Sequence, residues 1–288
     1  MLISIQGAYD LHIHTAPCLF PRLATDREMV LSAREYGMDG VMLKCHHESS
    51  VSRAAILDKE FDDIEVYGGI VLNTCVGGVN PAAVEAALRL GGKAVWMPTF
   101  DSKRHVEIHG APGKYALTEK VTGIDHEGIT ILKDGVLIPE AMVVMELAKQ
   151  YDVLLGTGHC SEEECFALAD LANDIGFNKL LITHAHYKVP NIGIEGQKLL
   201  IEKGAMIEFG YCTVSHAWAA NSVDNAVLAI KENGAQHYII VSDAGQYNNP
   251  MPAECMRIFA QAIHERGINP EDINRLMIDN PQYLLGIK

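Results

Sequence analysis

The chain has 288 residues, of which 48% are hydrophobic and 21% are charged, and its formal net charge is −14. That composition is ordinary for a folded protein with a sizeable core, and it argues against a largely disordered chain. The acidic balance argues against nucleic-acid binding, because phosphate recognition needs clustered lysine and arginine and the sequence has no such run.

Short apolar runs alternate along the chain with longer segments whose apolar residues recur every three or four positions. The runs are rich in Val, Ile and Leu, and they predict β-strands at 8–15, 40–47, 65–73, 93–100, 153–160, 179–186, 205–212 and 237–244. The segments between them predict helices near 26–37, 49–61, 80–91, 139–151, 161–175, 193–203, 222–233 and 252–267. Ser161 before three glutamates is typical of a helix start, and Gly176 and Gly204 follow predicted helix ends.

The alternation of strands and helices predicts a parallel sheet, because parallel neighbours need a crossover connection. Eight such units favour a closed (β/α)8 barrel over an open sheet. The first predicted strand also leads into HIHTAP and not into a glycine-rich dinucleotide turn. We therefore predict one barrel domain spanning residues 1–288.

One stretch, 101–138, is far longer than a usual connection between a strand and a helix. Within it, Lys133-Asp134-Gly135 lies between apolar runs and predicts a small hairpin. Because the stretch follows the fourth predicted strand, it would lie over the catalytic face of a barrel. It is expected to be either a lid or substrate-specificity insert, or a surface decoration.

The first predicted strand carries Asp10-Leu11-His12-Ile13-His14. Residues two apart in a strand point to the same side, so His12 and His14 project together. Two neighbouring imidazoles are natural ligands for zinc or a related metal. The alternative is a pair of hydrogen-bonded histidines near the barrel rim.

Further polar residues end later predicted strands: His159 the fifth, His184 the sixth and Asp243 the eighth. The carboxyl ends of all strands in a (β/α)8 barrel meet at one face, and that face holds the active site. The sequence therefore predicts a metal centre that combines these residues with His12 and His14.

This pattern resembles the amidohydrolase superfamily of metal-dependent hydrolases, which has an HxH after strand one, single histidines after strands five and six, and an aspartate after strand eight. The closing segment from Asn280 to Gly286, NPQYLLG, is also similar to that family. The resemblance spans nearly the whole chain. It implies a divalent metal, with zinc first and manganese or iron as alternatives, at one or two ions per chain.

The resemblance further implies a metal-activated water that attacks an amide, lactam, lactone or related bond of a small molecule. Decarboxylation and hydration are the alternatives among single-metal relatives. Asp243 would be the general base, and His184 would polarise the substrate or orient water if it lies outside the metal's ligand shell. Lys44, at the end of the second predicted strand, would stabilise developing negative charge.

Two departures from the family pattern concern the number of ions. Members with two metals carry a carboxylated lysine or a glutamate after strand four, whereas this chain has MPTFDSK there. Asp101 or Lys103 could serve as the bridging ligand, but neither lies at the strand end. This favours one ion over two. The second departure is the end of the second predicted strand, Leu43-Lys44-Cys45-His46-His47, where Lys44 is a carboxylated bridging ligand, an anchor for a charged substrate, or a lysine on the rim.

A second resemblance is to the PHP phosphoesterases, whose first two motifs are similar to YDLHIHT and GMDGVMLKCHH. His46 would then be a metal ligand. Against this, PHP proteins close with Asp-x-His, where this chain has Asp243-Ala244-Gly245, and their barrel has seven strands. His46, His47, His186 and His216 are lower-ranked candidates for metal or substrate contact, and an inert metal-binding scaffold is the non-enzymatic alternative.

The remaining expectations concern location and partners. No apolar run reaches the roughly 18 residues of a membrane span, and the first residues show no basic leader. Seven scattered cysteines without a Cys-x-x-Cys pair suit a reduced, cytoplasmic protein. The expected partner is a small-molecule substrate, with no nucleic acid and no membrane, and homo-oligomers are common among such barrels.

Overall fold

The architecture is a ring of parallel strands surrounded by helices, as seen in a computed structural model that describes residues 2–115, 119–121, 123, 125–216, 218 and 220–287. The strands are β1 (Tyr9–Ile13), β2 (Gly40–Leu43), β3 (Glu65–Val71), β4 (Ala94–Trp96), β5 (Leu132–Lys133), β6 (Val136–Leu137), β7 (Leu154–Gly156), β8 (Leu180–Ile182), β9 (Met206–Gly210) and β10 (Tyr238–Val241). The α-helices are α1 (Asp26–Glu35), α2 (Val51–Glu60), α3 (Pro81–Arg89), α4 (Lys103–His109), α5 (Pro139–Gln150), α6 (Glu162–Ile175), α7 (Ile194–Glu202), α8 (Tyr211–Val214), α9 (Val223–Asn233), α10 (Pro252–Glu265), α11 (Pro270–Asn274) and α12 (Asn280–Leu285).

The main sheet closes on itself as a barrel. Its strands lie in the order β1-β2-β3-β4-β7-β8-β9-β10, so each lies beside the next barrel strand along the chain. The two ends of the sheet meet through a parallel bridge between Ile13 and Ala244, where the His14 amide donates to the Ala244 carbonyl at 2.8 Å. The predicted (β/α)8 barrel is therefore confirmed.

The observed strands are shorter than the predicted ones at their carboxyl ends. In the run 153–160, β7 ends at Gly156 and the chain then turns through Gly158. Gly158 has φ +58°, and a Cβ there would lie 2.3 Å from the Met97 carbonyl oxygen, so a larger residue does not fit. The polar residues predicted to end strands accordingly lie in the loops that follow them, at the carboxyl face of the barrel.

The short helices α4, α8, α11 and α12 are not apparent from the sequence pattern. Each has between four and seven residues, which is too few to show a 3.6-residue hydrophobic period. None of the helices in the described part of the chain has the length and hydrophobicity that a membrane span requires.

The insert at 101–138 contains α4 and the β5–β6 hairpin. Leu132 pairs with Leu137 in antiparallel register, which confirms the predicted hairpin around Asp134 and Gly135. Asp134 and Gly135 both have positive φ, as a two-residue turn of this type requires. Residues 116–118, 122 and 124 of the insert lie outside the described residues.

Two apolar clusters hold the barrel together. The larger one packs outward-facing strand residues such as Val95 and Ile182 against helix residues such as Val144 and Leu168. The smaller one lies inside the barrel and includes Trp96, Leu154, Leu181 and Ile239, all fully buried. The indole of Trp96 lies 6.5 Å from the imidazole of His12, so the inner cluster forms the floor beneath the polar residues of the carboxyl face.

Candidate metal centre

His12 and His14 lie together at the carboxyl end of β1. Both are buried, and their Nε2 atoms are 3.3 Å apart. The backbone of His14 is held by the chain that follows β10, where a Cβ on Gly245 would lie only 1.7 Å from the His14 carbonyl oxygen. Gly245 has φ +125°, so this close approach requires glycine.

Hydrogen bonds determine which ring nitrogen of each histidine carries the proton. His14 Nδ1 lies 3.0 Å from the Lys44 carbonyl oxygen, which can only accept, so this nitrogen donates. His12 Nδ1 donates in the same way to Oε1 of Glu208 at 2.9 Å. In the neutral rings both Nε2 atoms are therefore unprotonated, and their lone pairs face each other.

Asp243 brings a third electron-pair donor to the same point. Its Oδ1 lies 3.1 Å from His12 Nε2 and 3.2 Å from His14 Nε2. Within the part of the chain that the structure describes, this is the one group of three His, Cys, Asp or Glu residues whose ligand atoms all lie within 4.8 Å of one another. A tetrahedral zinc ion with bonds of about 2.0–2.1 Å places its ligand atoms about 3.3 Å apart, so the three residues fit a metal.

Charges inside this cluster strengthen its preference for a cation. Burial lowers the pKa of His14 to about 3, so this ring stays neutral. Burial would also lower the pKa of His12, but the carboxylates of Asp243 and Glu208 outweigh it and raise the pKa to about 9. Burial would raise the pKa of Asp243, yet His12 and His14 hold it well below its usual range, so Asp243 is ionised.

Two residues at this face have a backbone conformation that side chains rarely adopt. His184 has φ +31° and Asp243 has φ +47°, both in the left-handed region. Non-glycine residues in this region are uncommon, and they cluster at functional sites, where the surrounding structure holds them in place. Each lies two residues past the end of its strand, β8 for His184 and β10 for Asp243, so the strain lies where the chain turns polar groups toward the centre of the barrel.

His159 and His184 line the same cavity, beside the three clustered residues. Their rings are 4.9 Å apart, and the ring of His184 is 6.1 Å from that of His12. Neither belongs to the group of closely spaced ligand atoms. The five residues expected to form one metal centre thus divide into a cluster of three and a neighbouring pair of histidines.

A hydrogen-bond relay from the insert reaches His159. His105 of α4 donates from Nε2 to the Lys114 carbonyl at 2.7 Å, so its Nδ1 is an acceptor. That Nδ1 lies 2.8 Å from Nδ1 of His159, which must then be the donor. The Nε2 of His159 is consequently unprotonated and can accept a proton or bind a metal. His105 lies within the insert, and the pattern of polar residues at strand ends does not point to it.

Lys44 lies in the interior beside His12. Its Nζ is 3.1 Å from His12 Nε2 and 5.0 Å from the centroid of the Trp96 ring. With 2% of its surface exposed, it is not a lysine on the rim, which contradicts that interpretation. Burial lowers its pKa to about 8, against the opposing effect of Glu208 and Asp243, so the amine is only moderately basic.

Glu208 on β9 is a site residue that the sequence pattern did not reveal. It is fully buried and accepts from His12 Nδ1 and from the backbone N–H of His184 at 3.1 Å. Burial would raise its pKa, but His12 outweighs burial and the pKa is lowered, so the carboxylate is charged. The signal in the sequence is a single acid within the apolar run MIEFG. A carboxylate behind a ligating histidine fixes its orientation and raises its basicity.

The lower-ranked histidines have different surroundings. His46 lines the cavity, where its ring stacks on that of His14 at 4.6 Å and its Nδ1 lies 2.9 Å from Thr99 Oγ1. His216 also lines the cavity. His47 packs on Phe100, and His186 bonds Thr213 and packs on Phe209, and neither lines the cavity. Adjacent or alternate residues in a turning loop point in different directions, so position after a strand does not fix where a side chain points.

The two candidates for a bridging ligand after β4, Asp101 and Lys103, do not face the cavity either. Asp101 accepts from the Thr74 amide and pairs with His126, and Lys103 is exposed on α4. Neither lines the cavity. Among the described residues, the arrangement therefore provides no carboxylate from this loop to bridge two ions.

The cavity has a volume of about 540 Å³ and holds more than histidines. Besides the histidines, Lys44 and Asp243, its lining residues are mostly aromatic or polar: Phe20, Pro21, Arg22, Tyr115, Tyr187, Cys212, Thr213, Trp218, Gln246, Tyr247 and Asn248. Ligand sites of this size hold small molecules and combine an apolar wall with few polar groups.

Comparison with known proteins places this geometry in context. The model of a protein family, described as Family of unknown function (DUF6282), matches residues 7–208. No curated protein matches the sequence. A probable dipeptidase from Pseudomonas aeruginosa has a similar structure, with a TM-score of 0.65, 12% identity, and coverage of 99% of this chain and 95% of the other.

Two further solved structures are similar over nearly all of this chain. A 2,6-dihydroxybenzoate decarboxylase from Rhizobium has a TM-score of 0.62 at 12% identity, covering 98% of this chain and 99% of the other. An enamidase described as a member of the amidohydrolase superfamily has a TM-score of 0.59 at 13% identity, covering 98% and 68%. These likenesses show that the chain shares the barrel fold of these enzymes, one of which is described as an amidohydrolase superfamily member, so the resemblance is confirmed at the level of the fold.

Proposed function

The chain belongs to the Family of unknown function (DUF6282), and for this member we propose a metal-dependent hydrolase whose ion is held by His12, His14 and Asp243. The observation that carries the proposal is the convergence of three electron-pair donors within 3.3 Å, two of them with their tautomers fixed by hydrogen bonds from behind. Zinc is the first candidate, because two imidazoles and a carboxylate with an open position form a typical catalytic zinc site. One ion is expected.

When bound, a divalent ion supplies Lewis acidity that activates water near neutral pH. Asp243 is the general base of this proposal. Its Oδ1 faces the two histidines, and its side chain is 15% exposed, toward the cavity that it lines. Because its pKa is held low, the carboxylate is ionised, which is the protonation state that a general base needs before it takes a proton from water and passes it to the leaving group.

The proposed roles of the remaining polar residues follow from their positions. His184 lines the cavity beside the cluster, and its pKa is lowered by burial to about 4, so the neutral ring would polarise a substrate carbonyl. His159, with an unprotonated Nε2, is either a fourth ligand or a second acceptor for protons. Lys44, with a pKa of about 8, is mostly protonated at pH 7 and would stabilise developing negative charge.

The insert at 101–138 is proposed to determine substrate specificity. It contributes Tyr115 to the cavity wall and, through His105, sets the tautomer of His159. An insert that only decorated the surface would make neither contact.

Decarboxylation by the same centre is the second candidate, supported by the fold shared with the decarboxylase from Rhizobium. The phosphoesterase alternative has less support, because the ring nitrogens of His46 are not among the clustered ligand atoms and its Nδ1 is engaged by Thr99.

The test is activity of the zinc-loaded protein on a panel of lactones, amides and aromatic acids, with an Asp243→Asn variant. Loss of the base is expected to lower the rate about 10²- to 10⁴-fold while the fold is retained. Asp174→Asn, an exposed aspartate on α6, is the matched control and should keep full activity. Equal rates for Asp243→Asn and Asp174→Asn would contradict the proposed mechanism.

A further inference from the structure

Arg22 differs from the other arginines of this chain in its ion pairing. The sequence has nine arginines, and all of them are described. Eight form an ion pair with a carboxylate: Arg27–Glu60, Arg34–Asp63, Arg53–Asp26, Arg89–Glu85, Arg104–Glu107, Arg257–Glu254, Arg266–Asp224 and Arg275–Asp272. Among the described residues Arg22 has no such partner, although the chain carries 37 acidic residues.

Arg22 is also the arginine that lines the cavity. Its Nε is buried and has no hydrogen-bond partner among the described residues, and its guanidinium lies 5.6 Å from the centroid of the Phe20 ring. A desolvated donor without a partner costs free energy, so such a group is retained where a ligand completes it.

The backbone holds Arg22 in place beside the metal centre. Arg22 forms an antiparallel bridge with Gln246, and the amide of Leu23 donates to the Gly245 carbonyl at 3.0 Å. The loop after β1 is thereby joined to the loop after β10, which carries Asp243. The guanidinium is therefore held on a braced loop at the edge of the cavity.

The charged side chains of the cavity favour an anionic ligand. The cavity lining holds two cationic side chains, Arg22 and Lys44, and one carboxylate, Asp243, so it is positive on balance even before a divalent ion adds to that charge. In a chain of net charge −14 this concentration of positive charge is local. A site of this kind attracts an anionic ligand over a neutral one.

The rest of the wall is aromatic. Phe20, Tyr115, Trp218 and Tyr187 follow one another around the cavity, with ring centroids 5.4, 5.6 and 6.4 Å apart from each to the next. Flat rings stack on flat ligands and exclude water from them. Successive rings are inclined at 71°, 72° and 85°, so the wall offers both ring faces and ring edges against which an aromatic body can pack.

We propose that Arg22 binds the carboxylate of a small planar substrate, such as a substituted aromatic or conjugated acid, whose body packs against the aromatic wall. A guanidinium matches a carboxylate with two parallel hydrogen bonds, which fixes orientation as well as affinity. With the carboxylate at the cavity edge, the opposite end of the substrate lies at the metal centre. The position of the substrate's other end at the metal centre rests on the proposed function, whereas binding of the anion by Arg22 does not.

The experiment compares benzoate with benzamide as probes, by calorimetry on the zinc-loaded protein at fixed ionic strength. The two probes have the same ring and differ in charge. Benzoate should bind at least about 10-fold more tightly, and Arg22→Gln should weaken benzoate about 10- to 100-fold while changing benzamide little. Arg22→Lys keeps the positive charge but cannot form the two parallel hydrogen bonds. Its affinity for benzoate should lie between those of the wild type and Arg22→Gln. Arg27→Gln on the exposed surface is the matched control and should change neither probe.

Several outcomes would overturn the inference: no binding of benzoate, equal binding of both probes, or a loss for Arg22→Gln that is no larger than for Arg27→Gln. Metal content measured on the same samples separates this inference from the proposed function. Zinc at full occupancy with benzoate binding independent of Arg22 refutes the carboxylate site alone. Benzoate binding through Arg22 in a chain that takes up no zinc refutes the hydrolase alone.

Discussion

Replacing Glu208 with glutamine tests whether a buried carboxylate behind His12 strengthens the metal centre. Glu208 accepts two hydrogen bonds through Oε1, from His12 Nδ1 at 2.9 Å and from the His184 amide at 3.1 Å. A glutamine oxygen can accept both, so the shape is kept and the negative charge is lost. The charge raises the basicity of the His12 ring, and loss of such a partner behind a ligating histidine weakens metal binding about 10- to 100-fold. We therefore expect a zinc affinity about 30-fold weaker, or about 2 kcal/mol.

The size of this effect should depend on pH. In the metal-free protein the carboxylates of Asp243 and Glu208 raise the pKa of His12 to about 9, against the effect of burial. Below that pH the wild-type ring must lose a proton before it binds zinc. Without the Glu208 charge the pKa of His12 falls and the proton competes less, which offsets part of the loss at pH 7. The full loss is expected at about pH 9.5, above the pKa.

The assay is competition for zinc with a chromogenic chelator at both pH values. Glu202→Gln, an exposed glutamate at the end of α7, is the matched control and should bind zinc like the wild type. The reasoning would be refuted if folded Glu208→Gln kept wild-type affinity at pH 9.5, or if its loss were larger at pH 7 than at pH 9.5.

Gly245→Ala should destabilise the fold by at least about 2 kcal/mol in urea unfolding and remove zinc binding, because its Cβ would lie 1.7 Å from the His14 carbonyl oxygen. Gly135→Ala, at a positive φ with open space around it, should cost only about 1 kcal/mol, and equal costs would contradict the close approach. His105→Phe removes the acceptor that fixes the His159 tautomer, so the ¹⁵N shifts of the His159 ring should change and the rate should fall about 10-fold, whereas unchanged shifts would refute the relay. His46→Ala should leave zinc occupancy intact, and loss of zinc on this change would favour the phosphoesterase alternative.

Much of the fold could be predicted from the sequence, because eight apolar runs separated by amphipathic segments leave few other architectures. The HxH of β1 was informative for the same local reason: alternation in a strand puts His12 and His14 on one side. Asp243 could be assigned to the same face only because the barrel brings every strand's carboxyl end together.

Other parts of the site depend on contacts between distant segments, which spacing along the chain does not encode. Glu208 reads as one acid in an apolar strand until the barrel places it against His12, 196 residues away in sequence. Arg22 is notable only when the partners of the other arginines are known. His186 lies two residues after His184, but the left-handed turn at His184 redirects the chain, so that His186 packs against Phe209 outside the cavity.

The most direct test of the account is the metal content of the protein purified without added metal or chelator, measured by elemental analysis. The wild type is expected to contain about one zinc per chain, His12→Ala and His14→Ala should lose most of it, and the control His237→Ala should be unchanged. No metal in the wild type, together with no gain in thermal stability on adding zinc or manganese, would contradict the central claim.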